Sequence, residues 1–291
     1  MERKKVRYIC NPISGTGFDP FIENTIFLHT DRNEFDAEYL LTERVGHAFE
    51  LAMEAVQANY YAVVAIGGDG TVHEIASALL GSQTALAIIP RGSGNGLALH
   101  LGLPTRVSEQ VKLVYQGKPS PVDSVYFNEE PFFNMAGLGF EAEVAHNFAN
   151  SQLRGWFSYL KNIINCWKGS KEFDVELKVK GHTIKDKFWQ ITIANGSQYG
   201  NNLKISPNSE LDDAEFELLL MKKPGAFKVI HLVLKSFFNI NLNKKLMQIY
   251  ACSEAEINAN TTFAHADGEP IVNFNGKLKL KINPKSILII S

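Results

Sequence analysis

Asp69 stands between glycines in Gly67-Gly68-Asp69-Gly70-Thr71, and far along the chain Asp267-Gly268-Glu269 places two acids two residues apart. Carboxylates beside glycine suit phosphoryl transfer, where a protein mostly positions reactants and neutralises charge. In an extended segment, residues two apart face the same side. Asp267 and Glu269 are therefore expected to converge, with a glycine between them that lets an acceptor approach. The plainer alternative is a β-turn with solvated acids. Asp267, Glu269 or Asp69 would accept or orient the proton of an attacking hydroxyl, and the choice among the three stays open. A carboxylate with pKa near ~4 is a weak base for an alcohol, so orientation is its larger service.

Two more glycine clusters join the one around Asp69: Asn11-Pro12-Ile13-Ser14-Gly15-Thr16-Gly17 and Arg91-Gly92-Ser93-Gly94-Asn95-Gly96. Glycines let backbone N–H groups approach an anion, and a helix starting near Thr71 adds its positive dipole end. One such loop is often only a tight turn. Three in series, each with Ser, Thr, Asn or Asp, point to phosphate. The chain has no Gly-Lys-Ser/Thr, so it has no P-loop. Gly92–Gly96 lacks the spacing of the dinucleotide fingerprint. Ser14 and Ser93 have no nearby His–Asp arrangement, which argues against nucleophilic catalysis. His73, His100, His146 and His265 have no metal-ligand spacing and read as packing or surface residues.

The elements that must carry these loops fall in two halves. Val6–Cys10, Ala37–Leu41, Tyr61–Ile66 and Leu86–Ile89 read as strands, with helices over Val45–Ala58 and Val72–Leu80 and Gly81 as a cap. This alternation predicts an α/β domain with an open parallel sheet, in which ligands bind beyond the strand ends. Past Asp123, period-two runs predict a β-sandwich: Asp174–Lys180, Phe188–Ala194, Phe216–Met221, Ile249–Ile257 and Leu278–Ile282. The expected division is 1–123 and 124–285, with 286–291 free to return to the first domain. Helical patterns over Gln152–Trp167 and Ala226–Ile240 interrupt the strands. Their apolar stripes, such as Phe227, Ile230, Leu234 and Phe237, either cover the sandwich or dock on a bilayer.

Composition sets the bounds. The 291 residues are 45% hydrophobic and 21% charged, and the formal net charge is −2. There is material for two cores and no global basic field for nucleic acid. Three well-separated cysteines, Cys10, Cys166 and Cys252, fit a reducing compartment. No apolar run reaches the ~18 residues needed to span a bilayer. A cytoplasmic chain is expected, with peripheral membrane contact at most. Assembly as a homodimer is left open.

Asn11-Pro12-Ile13-Ser14-Gly15, Gly68-Asp69-Gly70-Thr71, Gly92-Ser93-Gly94-Asn95 and Asp267-Gly268-Glu269 occur in this order over essentially the whole chain. The series resembles the diacylglycerol kinase catalytic superfamily, which includes bacterial diacylglycerol kinases, sphingosine kinases and ceramide kinases. The resemblance implies an ATP- and Mg²⁺-dependent kinase acting on a lipid hydroxyl, with an N-terminal nucleotide domain and a C-terminal β-sandwich lipid domain. Residue by residue, it implies that ATP lies against Asn11, Pro12, Ser14, Gly15, Thr42, Gly68, Asp69, Gly70, Thr71, Glu74, Ser93 and Asn95. Asp267 and Glu269 match the catalytic acidic pair, and Asp123 matches a carboxylate that organises Mg²⁺. Glu210, Asp213 and Glu215 match a structural Mg²⁺ loop, with Glu210 and Glu215 giving mainly backbone oxygens. Some positions depart from the pattern. Ser93-Gly94-Asn95 is nearer the sphingosine kinase version. Glu141 stands where members often have Asp, and Ala214 where bacterial relatives often have Gly. Two rivals share part of the pattern: an NAD kinase or other soluble-metabolite kinase, through Gly-Gly-Asp-Gly-Thr, and a catalytically inactive nucleotide- and lipid-binding regulator.

Overall fold

The computed structural model describes residues 3–15, 17, 19–149, 165–200, 203–225 and 247–291. The chain divides into two compact units: Met1–Ser124 with Tyr199–Asn201 and Pro284–Ser291, and Val125–Gln198 with Asn202–Asn283.

The first unit alternates strand and helix: β1 (Lys4–Cys10), α1 (Pro20–His29), β2 (Phe35–Leu41), α2 (His47–Gln57), β3 (Ala62–Gly67), α3 (Asp69–Leu79), β4 (Ala85–Pro90), α4 (Gly96–His100), α5 (Val107–Gln116) and the first part of β5 (Pro119–Phe127). β2, β1, β3 and β4 lie side by side in that order, all parallel. Val63 and Val64 on β3 and Leu86 and Ala87 on β4, which alternate between the two faces, are fully or nearly fully buried, as a sheet covered on both faces requires. The register sets Cys10 beside Leu41 and Ile66, and Gly67 beside Pro90. Four strand ends therefore meet at one edge, and the loops that leave them are neighbours.

α1 and α5 were not expected. α1 carries Phe21, Ile22, Ile26 and Leu28 around its circumference, so it has no narrow apolar stripe to recognise. Its start is marked instead by Pro20 and by Asp19, whose side chain accepts the Phe21 N–H at 3.0 Å. α5 buries Gln110, Val111 and Val114 on one face.

The second unit holds β6 (Glu130–Phe132), β7 (Met135–Gly139), α6 (Phe140–Ala149), β8 (Phe173–Val179), β9 (His182–Phe188), β10 (Gln190–Ala194), β11 (Phe216–Met221), β12 (Met247–Cys252), β13 (Glu254–Ala259), β14 (Ala264–Ala266), β15 (Glu269–Pro270) and the first half of β16 (Lys277–Ile290). β12, β11, β10, β7, β14 and β15 form one antiparallel sheet. β16, β13, β8 and β9 form an antiparallel layer. Leu138, Ile191, Ile193 and Leu218 from the first share a core with Val175, Leu177, Ile257 and Leu278 from the second. This is a sandwich.

Two expected strands are each two strands. Phe188–Ala194 breaks at Trp189, and Ile249–Ile257 breaks at Ser253; in both cases the halves belong to different sheets. Strands that switch sheets turn corners in packed sandwiches, and here the core-facing positions slip by one residue at each corner, from Phe188 to Ile191 and from Cys252 to Ala255. In the opposite sense, Leu278–Ile282 and Ile287–Ile290 are parts of one strand, β16. The expected helix over Ala226–Ile240 lies outside the described residues, as does most of Gln152–Trp167.

Candidate functional site

In the first unit the three glycine loops are locked onto one another. Gly15 has φ +60°, and a Cβ there would collide with the Arg91 carbonyl. A Cβ on Gly92 would lie 2.5 Å from Gly68 Cα. These glycines are thus required by loop-on-loop packing, a use that the reading of glycine as room for an anion did not anticipate. The side chain of Asn11 donates to Thr71 Oγ1 at 3.2 Å and accepts the Ile13 N–H at 3.1 Å. Ser14 is half-buried in the same loop, with its N–H on the Asn11 carbonyl.

Asp69 opens α3, not a position inside it: the helix begins two residues before Thr71. Its carboxylate accepts the Asn95 N–H at 2.9 Å and the Gly96 N–H at 2.8 Å. Asn95, at φ +56°, accepts the Gly92 N–H and donates to the Gly92 carbonyl, both at 2.8 Å. The third loop is thereby fixed to the start of α3, whose N-terminus has no side-chain cap. Ser93 at its tip is exposed. Thr42 leaves β2 with its N–H on the Cys10 carbonyl, so it borders the first loop. Glu74 is turned toward α2: its carboxylate accepts the Gly46 N–H at 2.9 Å and the Ala48 N–H at 3.2 Å. It caps that helix and shapes the segment after Thr42.

Sequence reading missed Tyr199–Asn201, which belongs to this unit. Gly200 forms a β-bridge with Asn95 and lies so close to Gly94 that a Cβ would meet its carbonyl oxygen at 2.6 Å. Glycine at 200 was the available signal.

Asp123 is 0% exposed and accepts the Lys285 N–H at 2.7 Å. Lys285 has φ +51° and follows Pro284 within β16, and Asp123 takes its amide. This is an internal brace.

In the second unit the acidic pair is not extended. Asp267 and Gly268, at φ +48° and +88°, are the two central residues of the β14–β15 hairpin, in which Ala266 pairs with Glu269. Positive φ at both positions is the type I′ turn that Asp-Gly favours. The two side chains consequently differ. Asp267 is buried, and its carboxylate accepts N–H groups from Phe133 at 3.0 Å, Asn134 at 2.9 Å and Met135 at 3.2 Å. Glu269 is exposed, and among the described residues no side-chain hydrogen bond or ion pair engages it.

Among the described residues no three His, Cys, Asp or Glu side chains gather to hold a metal. At the expected Mg²⁺ loop Glu210 is exposed, Asp213 accepts the Glu215 N–H at 3.0 Å, and Glu215 pairs with Lys180 at 3.4 Å. Of the histidines, His265 is buried beside Glu141.

Residues 5–127 match the diacylglycerol kinase catalytic domain, and residues 134–291, more than half of the chain, match the YegS C-terminal NAD kinase beta sandwich-like domain. The chain belongs to the diacylglycerol kinase superfamily. The catalytic-domain match makes this chain an ATP-using kinase. Among curated relatives, a diacylglycerol kinase from Bacillus subtilis is 23% identical over 272 residues, covering 91% of this chain and 90% of that one. A probable lipid kinase of the YegS-like type from Chromohalobacter salexigens is 27% identical over 243 residues, covering 81% and 78%. The crystal structure of a diacylglycerol kinase from Bacillus anthracis aligns with a TM-score of 0.75 at 20% identity, over 100% of this kinase and 97% of that chain. That likeness bears on the fold.

Proposed function

We propose that this kinase transfers the γ-phosphoryl group of MgATP to the hydroxyl of a membrane lipid: diacylglycerol, a sphingoid base or a related lipid. The observation that carries the assignment of roles is the asymmetry of the Asp-Gly-Glu hairpin, with Asp267 consumed by three backbone amides and Glu269 exposed.

On this reading Asn11, Pro12, Ser14, Gly15, Thr42, Gly68, Gly70, Thr71, Ser93 and Asn95 hold the nucleotide through backbone and hydroxyl groups. Asp69 and Glu74 keep their loops in shape. Mg²⁺ arrives as part of the substrate, on the phosphate oxygens, since the ion usually keeps waters and takes only one or two protein carboxylates. Among the described residues no three His, Cys, Asp or Glu side chains gather to hold a resident ion, and the transfer needs none at the Glu210–Glu215 loop. The lipid oxygen attacks Pγ, the bond from Pγ to the ADP oxygen breaks, and the hydroxyl proton passes to the Glu269 carboxylate. Asp267 holds the turn that presents Glu269. No helix among the described residues is long and apolar enough to cross a membrane, and we place the enzyme's work at the cytoplasmic membrane surface through peripheral contact.

Purified chain, labelled ATP and Mg²⁺ are incubated with mixed micelles of diacylglycerol, sphingosine, ceramide or phosphatidylglycerol, with NAD as a soluble acceptor. Phosphorylation of one lipid is the expected result. Transfer to NAD alone, or to nothing, rejects the reading.

A further inference from the structure

The outer face of the β7–β14 sheet carries a buried acid–base pair that takes no part in the phosphoryl transfer proposed for Glu269. His265 lies on β14 between Ala264 and Ala266, which point into the sandwich core; it therefore points the other way. There it meets Glu141 from α6. Glu141 Oε1 is 3.6 Å from His265 Nε2, with side-chain exposures of 9% and 5%. The second carboxylate oxygen accepts from Gln190 Nε2 at 2.9 Å and Thr192 Oγ1 at 2.8 Å, both on β10. Gly137, the cross-strand partner of His265, makes room for the carboxylate: a Cβ there would collide with Oε1. Glu141 thus ties α6 to three adjacent strands.

We propose that Glu141 and His265 are positioning residues for phosphotransfer, a net-neutral buried pair that pins β14, and with it the Asp267–Gly268 turn and Glu269, against α6. The proposal rests on the lipid-kinase reading. Burial penalises net charge of either sign, so the pair favours the state with one titrating proton between its two groups. Loss of that proton leaves an uncompensated carboxylate under α6. Desolvation raises the Glu141 pKa, partly opposed by His265, and the same balance follows from the geometry. The Nδ1 atom of His265 is buried with no hydrogen-bond partner among the described residues. Other titratable groups in the neighbourhood are Glu143 on α6, eased by Lys223, His146, whose Nε2 is 3.1 Å from the Ala264 carbonyl, and Asp267 and Glu269 on the hairpin. Neither β7 nor β10 contributes a titratable side chain.

Two measurements test this on the 291-residue chain. The first follows the His265 ring nitrogens by NMR against pH. Glu141→Gln is expected to move the His265 midpoint down by about one unit or more, because a buried imidazolium loses its counter-charge. An unmoved midpoint overturns the pair. The second is kinetic. Glu141→Gln and His265→Gln are each expected to lower kcat about tenfold while KM for ATP stays within about twofold, and the double variant should recover much of the loss as a neutral amide pair. Loss in the double variant equal to the product of the single losses overturns the positioning role, as does an unchanged pH profile in Glu141→Gln. Should Glu141→Gln not fold, Glu141→Asp, with its shortened arm, serves for both measurements. A wild-type chain that phosphorylates no lipid rejects the lipid-kinase reading and the positioning role, and the NMR comparison still decides the coupling.

Discussion

Asp267 Oδ1 lies 2.9 Å from the backbone nitrogen of Asn134, and the same carboxylate also receives the amides of Phe133 and Met135. Three N–H groups converging on a buried charge make Asp267 a structural anchor, while Glu269, two residues on, is exposed. The two acids should therefore fail differently. In Asp267→Asn the NH₂ group faces donors, and each buried donor left unsatisfied costs about 1–3 kcal/mol. Its melting temperature should drop. Glu269→Gln should melt like wild type and lose roughly 10²–10⁴ in turnover, the usual worth of a positioned base. Thermal unfolding and steady-state kinetics on both variants check this; normal turnover in Glu269→Gln would remove it as the base.

Asp69 anchors the other unit in the same manner, through Asn95 and Gly96. Asp69→Asn should weaken ATP about tenfold or more, since a hydrogen bond to a charged group is worth about 1.5–3 kcal/mol. The cause would be a loosened loop. Raising Mg²⁺ should recover little of the loss, whereas a metal-ligand role predicts substantial recovery. Nucleotide titrations at low and high Mg²⁺ separate the two.

The parallel sheet was legible in the sequence because its strands are continuous apolar runs ending in glycine clusters. What stayed hidden depends on contacts between distant residues. Gly15 meets Arg91, and Gly200 meets Gly94; the glycines are visible in the sequence, but no local pattern names their partners. At Trp189 and Ser253 the chain changes sheets within a run of strand-forming residues, and only a one-residue slip of the core-facing positions marks the corner. Asp267-Gly268 was a different kind of miss. The dipeptide is a strong hairpin signal, and the two-residue periodicity assumed for it holds only in an extended chain. The two acids flanking Gly268 are therefore one buried anchor and one exposed carboxylate.

Ala214 adopts φ +60° between Asp213, which accepts the Glu215 N–H, and Glu215 itself. A left-handed conformation costs an L-residue about 1–2 kcal/mol, and glycine avoids that cost at the expense of chain entropy. Ala214→Gly should thus stabilise the chain by about 0.5–1 kcal/mol. Denaturant unfolding measures the change; a lower midpoint would mean that the loop depends on the alanine methyl group.

The buried Glu141 carboxyl makes stability depend on pH with a definite sign. Desolvation raises its pKa in the folded chain, against the lowering influence of His265 and Thr192. A group with a raised folded pKa binds more protons folded than unfolded, so its contribution is full below the ordinary carboxylate range. That contribution falls as pH climbs through the raised folded value. Glu141→Gln removes the titration but keeps an acceptor for Gln190 and Thr192 on β10. The difference in unfolding free energy between wild type and variant should therefore favour wild type most at acid pH and shrink, or reverse, toward alkaline pH. Urea unfolding of both proteins at a series of pH values from about 4 to 9, a range chosen to begin near the ordinary glutamate pKa, gives that difference directly. A constant difference across the range would mean that Glu141 keeps one charge state throughout, with His265 holding it ionised.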